Sequence, residues 1–332
     1  LVYRSAGITL NWHVPASVQA VSEIQNIREA WRCRSCGSSG TTGMANQLTQ
    51  CLDCGAALPP IPECRFTYLE PAGFSVDLYE SPHNDVSTQT FVPVEAPWIN
   101  ANGEWLSMTN PQLGAYRASP IGTVFNHSAG TNGLGYAICL ACGRAEPMIS
   151  ASDDGEVEQC GVALPKIFQI SHRRLRGAQG GETAVCEGSS FSIKPGMRLG
   201  QEATTDVLEF MLYDLDGRPL ADRRVAFSLA VAIRSAIAAM LGVEVDELGC
   251  DTKEIRMNRE IGQAIVLFDR NASGYCSSVS DRLREVLFKA KGILSCTANC
   301  EGACQHCLLH FDTRFRMDDL NRLAALEFLT DR

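Results

Sequence analysis

The sequence lacks a hydrophobic run long enough to cross a membrane. Its most apolar stretch, Val225 to Leu241, falls short of the ~20 residues that a spanning helix needs, and it contains Arg234. We therefore predict that this stretch is a buried core helix that ends at Gly242. A secretory signal peptide is also missing, and we expect a cytoplasmic protein that makes no membrane contact. Because the chain begins with Leu1 and not Met, we expect it to be a piece of a larger protein or to lack its first residues.

The motifs of several enzyme classes are missing too. There is no G-x-x-x-x-G-K-[ST] loop to hold a triphosphate and no D-E-x-H box to hold Mg²⁺, so this chain alone is not expected to hydrolyse ATP. The H-x-E…P-C-x-x-C pattern of zinc deaminases is absent as well. One catalytic alternative remains open, a metal-dependent nuclease. Its carboxylates would be Asp206, Asp214, Glu254 and Asp269.

Positive charge is scarce. Lys and Arg number 29 against 38 Asp and Glu, a net charge of −9, which argues against a protein that coats nucleic acid with its whole surface. Between residues 66 and 138 the one basic side chain is Arg117. Basic residues cluster farther on, and we predict a DNA contact there, formed by Lys166, Arg173, Arg174 and Arg176. The alternatives are a solvated loop beside a metal site and a contact with an acidic domain.

Cysteine, by contrast, is abundant, at 15 residues. Two C-x2-C-G units, Cys33/Cys36 and Cys51/Cys54, have the spacing of zinc knuckles, and the glycine after each unit permits the tight turn that a knuckle needs. These four residues predict a zinc ribbon.

A second group of four cysteines lies near the C-terminus with the spacing C-x3-C-x3-C-x2-C. These are Cys296, Cys300, Cys304 and Cys307. Four thiolates complete a tetrahedral zinc site and leave no open position for catalysis, so the zinc is predicted to be structural. His306 or His310 replacing one cysteine, and an iron–sulfur cluster in place of zinc, are the alternatives at this group.

A third C-x2-C-G unit, Cys139/Cys142, needs ligands from farther along the chain. We predict His172 and Cys186, with Cys160 as the competitor for one position. In total we expect about three zinc ions. The alternative for so many cysteines, a secreted disulfide framework, is usual only in much shorter chains. We expect the remaining cysteines to be buried as small hydrophobic residues. They are Cys64, Cys160, Cys250 and Cys276.

The positions of glycine, proline and cysteine along the chain predict an α+β protein of three regions that are held together by zinc. Residues 1–65 form a zinc-ribbon unit with a helix around Val18 to Trp31. Residues 66–200 read as short strands and long loops around the second zinc site, with alternating runs at 74–78 and 90–94. Residues 201–332 read as an α/β unit whose last helices flank the C-terminal cysteines.

Within that last region the pattern predicts two strands and two more helices. Strands are expected at Val207 to Tyr213 and at Ala264 to Phe268, the latter ending at Asp269. One helix is expected from Asp281 to Leu294 with Ser280 as its N-cap. The other is expected from Met317 to Leu329, with its apolar face on Leu320, Leu323, Ala324 and Phe328.

The segment that begins at Cys296 and ends at Phe315 resembles the zinc-binding domain at the C-terminus of MrfA-type superfamily 2 DNA helicases, the mitomycin repair factor group. Further similar segments lie upstream, at residues 3–12, 136–148, 172–177 and 205–208. The chain departs from the family in the turn after Asp269, where relatives have a glycine-rich sequence and this chain has a single glycine, Gly274.

The resemblance implies a helicase appendage. Relatives occur in DNA repair and in anti-phage systems, notably Druantia and DISARM, and their four C-terminal cysteines coordinate zinc, which maps onto Cys296, Cys300, Cys304 and Cys307. The implied partners are a superfamily 2 motor, in the same chain or a separate one, and DNA, expected to be single-stranded. ATP and Mg²⁺ would be bound by that motor only. A protein–protein scaffold that never touches DNA is the main alternative.

Overall fold

The computed structural model describes eleven segments of the chain, which are residues 4–5, 8–9, 12–14, 27–71, 73–75, 95–150, 162–169, 171–172, 185–186, 190–257 and 260–330. The strand expected at 90–94, Cys160, Arg173, Arg174 and Arg176 lie outside the described residues. Within the described ones, strands and helices mix in the predicted α+β fold, and cysteine-rich groups lie near the N-terminus and beside the C-terminal helices.

Strands dominate the first two predicted regions. In chain order they are β1 Arg4–Ser5, β2 Ile8–Thr9, β3 Trp12–Val14, β4 Ile27–Arg32, β5 Ser39–Gly43, β6 Arg65–Leu69, β7 Gly73–Ser75, β8 Trp98–Asn100, β9 Leu106–Ser107, β10 Gly114–Ser128, β11 Tyr136–Cys139, β12 Ala145–Pro147, β13 Ile149–Ser150 and β14 Val162–Ala163. Short 3₁₀ turns follow β5 and β14, at Met44–Asn46 and Lys166–Phe168.

The last part of the chain alternates strands and helices. Its elements are β15 Ile193–Leu212, α1 Arg223–Leu241, β16 Leu248–Met257, β17 Glu260–Asp269, α2 Tyr275–Ser278, α3 Leu283–Leu294 and α4 Arg322–Thr330. Three further 3₁₀ segments lie at Ser190–Ser192, Val245–Glu247 and Thr313–Asp319.

Strand β15 is the centre of a sheet that contains 11 strands in the described part of the chain. Its first half pairs with β11 and, in parallel, with β6, whereas most of its length pairs antiparallel with β10 and its end with β17. Pro120 interrupts the pairing with β10, where the register shifts between Ser119 and Gly122. Strands from all three predicted regions therefore belong to one sheet, and the three-region division stays a prediction.

The largest core lies between this sheet and the helices. Helix α1 buries Phe227, Leu229, Ile233 and Ile237, and α3 and α4 pack against it. Asp222 accepts hydrogen bonds from two backbone N–H groups at the start of α1, and Gly242 ends the helix in the left-handed conformation, as predicted. The expectation that this stretch is too short to cross a membrane is wrong, because α1, with its 19 residues, is long and apolar enough by length and composition. Most of the helix is nevertheless buried inside the fold, as expected of a core helix.

The helix predicted around Val18 to Trp31 is wrong over its last residues. Residues 27 to 32 form strand β4, which pairs with β5 and β6, and the pairing of Arg32 with Ser39 closes a hairpin around the first knuckle. Tertiary pairing outweighs local helix propensity here. The expectation of short strands is also wrong for β10 and β15, which have 15 and 20 residues.

Two predicted helices begin elsewhere. Helix α3 starts at Leu283, with Arg282 and not Ser280 in the N-cap position and without a side-chain cap. The last predicted helix is broken at Leu320, whose extended backbone separates the 3₁₀ segment from α4. Leu320 inserts into the core, and Ala324 and Phe328 pack against it, whereas Leu323 is 49% exposed, so the predicted face is wrong at Leu323 only. Ala325 and Leu329 of α4 are also buried. The strands predicted at 207 and 264 are confirmed within β15 and β17.

Candidate metal centres

Three knuckles share one backbone geometry. In each, the N–H of the first cysteine donates to the carbonyl of the residue five positions later, and the glycine N–H donates back to the carbonyl of that cysteine. All three glycines have the left-handed backbone conformation, with φ of +74° at Gly37, +71° at Gly55 and +79° at Gly143. The C-x2-C-G sequence thus folds into the same tight turn each time, with both sulfurs on one side.

The first group joins two knuckles. Cys33 Sγ lies 3.5 Å from Cys54 Sγ, and Cys36 Sγ lies 3.6 Å from Cys51 Sγ. Tetrahedral zinc with Zn–S bonds of ~2.3 Å places its sulfurs about 3.8 Å apart, whereas a disulfide requires about 2.05 Å. The four sulfurs therefore fit one zinc ion and fit no disulfide. The N–H of Ser35 also donates to Cys33 Sγ, over 3.4 Å.

This first group rests against strand β16. The N–H of Arg256 donates to the carbonyl of Ser35 over 2.8 Å. A Cβ atom at Gly37 would stand 2.4 Å from Ile255 Cγ2, whereas a Cβ at Gly55 would meet nothing within 4 Å. The first knuckle of the ribbon therefore packs against strand β16 of the C-terminal part of the chain.

The second group contains three cysteines and one histidine. Cys139 Sγ lies 3.8 Å from Cys186 Sγ, and Cys142 Sγ lies 3.3 Å from His172 Nε2. His172 is buried, and Phe168 contacts its ring edge-to-face. The structure therefore brings the predicted pair, His172 and Cys186, to the knuckle, and their role as ligands stays a prediction.

The two thiols of this knuckle differ in pKa. The hydrogen bond with Cys142 is the main cause that lowers the pKa of Cys139, to about 5. The same bond, together with burial, raises the pKa of Cys142. Zinc binds cysteine as the thiolate, so a zinc ion held here would displace the proton of Cys142.

The third group lies at the edge of the main core. Its sulfur–sulfur distances are 3.6 Å for Cys296–Cys304, 3.5 Å for Cys300–Cys307 and 3.8 Å for both Cys296–Cys300 and Cys304–Cys307. These distances also fit tetrahedral zinc. Cys296 and Asn299 have positive φ, +34° and +50°, a conformation that non-glycine residues rarely adopt. When bound, zinc would crosslink this loop and offset its conformational cost.

Two buried arginines fasten the third group to the helices. Arg234 of α1 is fully buried and donates both terminal nitrogens to Asp312. Arg322, at the start of α4, donates to the carbonyls of Cys300 and Leu294. Burial raises the pKa of Asp312, but the hydrogen bond and charge of Arg234 outweigh it and leave that pKa below its usual value. Sequence reasoning missed this support, although a lone arginine in an apolar helix was its visible signal.

No three of the carboxylates of the nuclease alternative form a metal-holding group in the described part of the chain. Asp269 accepts N–H groups of Ser273, Tyr275 and Cys276, and Asp206 accepts from Ser277. Asp214 closes its own turn by accepting from two backbone N–H groups. These carboxylates are used to hold turns. Lys166, of the predicted DNA contact, is exposed in the 3₁₀ turn before His172.

The comparisons with known proteins concern the third group above all. Residues 229–308 match the family model described as the MrfA Zn-binding domain, a segment that begins in α1 and includes all four C-terminal cysteines. Among solved structures, the chain is similar to the DUF1998 helicase MrfA bound to DNA, at a TM-score of 0.38 and 9% identity, over 72% of this chain and 25% of that one. The comparison with curated proteins gave no match.

The expected MrfA-type zinc-binding domain is confirmed for residues 229–308. With the three four-ligand groups, it supports about three zinc ions per chain. In the structural comparison, this chain spans about a quarter of the length of the MrfA chain.

Proposed function

We propose that this chain, which carries an MrfA-type zinc-binding domain, is a non-catalytic zinc-built accessory module of a superfamily 2 DNA helicase. The observation that carries the proposal is the match of residues 229–308, which includes the quartet Cys296, Cys300, Cys304 and Cys307. The module docks on the motor, in the same chain or a separate one, and guides a DNA strand. Its setting is anti-phage defence, as in Druantia and DISARM, or DNA repair, and its compartment is the cytoplasm.

Closed metal sites support a structural and not a hydrolytic role. A hydrolytic zinc keeps an open coordination position, whereas each of the three groups here supplies four ligand atoms that lie within 4.8 Å of one another. Each group ties a loop to strands or helices of the fold. The zinc ions would therefore hold loops rigidly at the surface that meets the motor or the DNA.

The DNA contact rests on local charge. Lys166, Arg173, Arg174 and Arg176 lie close in sequence to His172, which the second zinc would hold in place. The acidic stretch from 66 to 138 is unsuited to phosphate contact, because its one basic side chain, Arg117, is buried against Glu209. We therefore assign the DNA contact to the basic residues near His172 and not to the stretch from 66 to 138.

A protein–protein scaffold is the second candidate function. The net charge of −9 and the acidic 66–138 stretch favour it. In that case the module would stabilise the motor or recruit another subunit without touching DNA.

Metal content and DNA binding on one sample separate the two candidates. Zinc would be counted by mass spectrometry on the purified chain, and the binding of a labelled oligothymidine would be measured at low salt before and after thiol-selective metal removal. About three zinc ions, with DNA binding that is lost on stripping, support the guiding module. Three zinc ions without DNA binding favour the scaffold, and no zinc contradicts both.

The charge assignment has its own test. Replacing Arg173, Arg174 and Arg176 by Ala is expected to weaken binding and to reduce the slope of log K against log salt concentration by about 2, because each phosphate contact on a single strand contributes about 0.7. Unchanged affinity and salt dependence would remove these residues from the contact.

A further inference from the structure

The segment after the third cysteine group, residues 308–320, is anchored from its inner side. Leu308 and Leu320 lie in the main core, and Thr313 Oγ1 donates to the carbonyl of Leu308. Asp312 is held by Arg234, and the guanidinium of Arg316 lies 3.7 Å from the centre of the Phe227 ring. This backbone is therefore fixed at both ends and in its middle.

The outer side of the same segment presents two phenyl rings and one guanidinium. Phe311 and Phe315 are 70% and 71% exposed. The guanidinium of Arg314 lies 4.0 Å from the centre of the first ring and 4.5 Å from the centre of the second. Leaving two phenylalanines in water costs apolar burial, so such a patch on a rigid segment marks a contact surface. We call Phe311, Arg314 and Phe315 the aromatic platform.

The cation of the platform, Arg314, is available to an anion. Arg314 makes no salt bridge with any carboxylate in the described ranges. The nearest acidic residue in the sequence, Asp312, is paired with both Arg234 and Arg270, and Asp319 is paired with Arg316. Asp318, which is exposed, is the remaining carboxylate of the segment.

We propose that the aromatic platform stacks bases of single-stranded DNA, with Arg314 meeting the phosphate beside them. This proposal rests on the DNA-guiding function proposed above and names a second contact, distinct from the basic residues near His172. Two aromatic faces with an interposed cation are the arrangement by which proteins hold single strands without reading their sequence. Because the segment is already anchored, binding would cost it little conformational entropy.

The test uses the full chain and two labelled strands of equal length, a 20-mer of thymidine and a 20-mer of abasic sites with the same phosphates. Fluorescence anisotropy gives the affinity for each at low salt. Stacking predicts that the wild-type chain binds the thymidine strand more tightly than the abasic strand. Phe311→Ala and Phe315→Ala are each expected to lose about 10-fold in affinity for thymidine, with little change for the abasic strand.

Phe288→Ala is the matched control. Phe288 is 77% exposed on α3, and no guanidinium lies over its ring in the described part of the chain. Its replacement is expected to leave both affinities unchanged. Phe315→Trp is expected to retain the thymidine preference and to show quenched indole fluorescence when the strand binds, a readout that does not depend on loss of folding.

The outcomes separate the two proposals. If the wild-type chain binds neither strand, the DNA-guiding function and the platform both fail. If it binds thymidine and abasic strands equally, or if the platform variants keep the wild-type preference, the platform is overturned while DNA guiding by the basic residues survives. If the platform variants lose binding to a helicase motor but keep the wild-type DNA affinity, the platform proposal is overturned in favour of a protein contact.

Discussion

At the scale of single residues, two glycines that are equivalent in the sequence differ in the fold. Gly37 and Gly55 both close a C-x2-C-G knuckle with φ near +70°. Only Gly37 faces another part of the chain, where Ile255 and the carbonyl of Glu254 leave no room for a Cβ. The sequence motif explains the backbone conformation of both glycines. Only the tertiary contact with β16 explains why Gly37 must also lack a side chain.

This pair gives a matched prediction. Gly55→Ala is expected to cost about 1–2 kcal/mol of unfolding free energy, because alanine disfavours positive φ. Gly37→Ala is expected to cost about 1–3 kcal/mol more, because its methyl group also pushes strand β16 away. Denaturation midpoints of the zinc-loaded variants would measure the difference. Equal losses would mean that the ribbon does not rest on β16.

A second residue gives a pH prediction. His127 is buried among Phe66, Trp98 and Phe125, and neither ring nitrogen has a hydrogen-bond partner among the described residues. Burial, with smaller contributions from Arg198 and Arg32, lowers its pKa to about 3. The unfolded chain binds this proton near pH 6.5 and the folded chain does not, so stability falls as the pH drops below 6.5.

Between pH 7.5 and pH 5.5 this single histidine is expected to remove about 1.4 kcal/mol of stability. His127→Leu lacks the titrating group and should lose correspondingly less over the same interval, as measured by urea unfolding at the two pH values. A parallel loss in both proteins would contradict the assignment.

At the scale of elements, helix α1 does more than fill the core. Its polar side chains Ser228, Arg234 and Ser235 contact three residues that follow the third cysteine group, namely Asn321, Asp312 and His310. This explains why a helix apolar enough for a membrane retains an arginine in its buried middle. The helix and the zinc loop stabilise each other.

Arg234→Met tests this link. Removing one partner of a buried ion pair costs about 3–5 kcal/mol, and because Asp312 is partly solvated and keeps Arg270 we expect about 1–3 kcal/mol here, with faster zinc loss from the third group. Arg270→Met is the control, since Arg270 is exposed, and should cost less than about 1 kcal/mol. Zinc release to a chromogenic chelator would be timed for both, and equal rates would contradict the proposed support.

At the scale of the whole molecule, three metal groups are distributed over one sheet and one helical core. The first lies on the β4–β5 hairpin, the second beside β11, and the third between α3 and α4. No ligand is shared between the groups. Residues of the third group, Cys296 and Cys307, also belong to the largest core. The three sites should therefore load separately but contribute unequally to stability.

Single serine replacements test this. Cys36→Ser, Cys142→Ser and Cys304→Ser are each expected to lose about one zinc ion and to keep the other two. Cys304→Ser should lower the denaturation midpoint most, because it loosens the main core. Cys250→Ala, outside every group, should retain about three. Simultaneous loss of all zinc from one replacement would show that the sites fold as a single unit.

Local sequence determined the features that depend only on residues close together in the chain. The C-x2-C-G spacing by itself fixes two sulfurs and a left-handed glycine on one turn, and the apolar run ending at Gly242 fixes a core helix with its C-cap. The sequence therefore predicted the α+β class and the three cysteine groups. The resemblance added the zinc-binding domain, which was confirmed for residues 229–308.

Tertiary structure decided whatever depends on partners distant in sequence. It turned residues 27 to 32 into a strand, because β6 and the ribbon hairpin pair with them, and it brought His172 and Cys186 to a knuckle thirty and more positions away. It also buried Arg234 against Asp312 and left Phe311 and Phe315 in solvent. Pattern and spacing constrain a side chain only through its near neighbours, whereas burial and pairing are set by the packing of the whole chain.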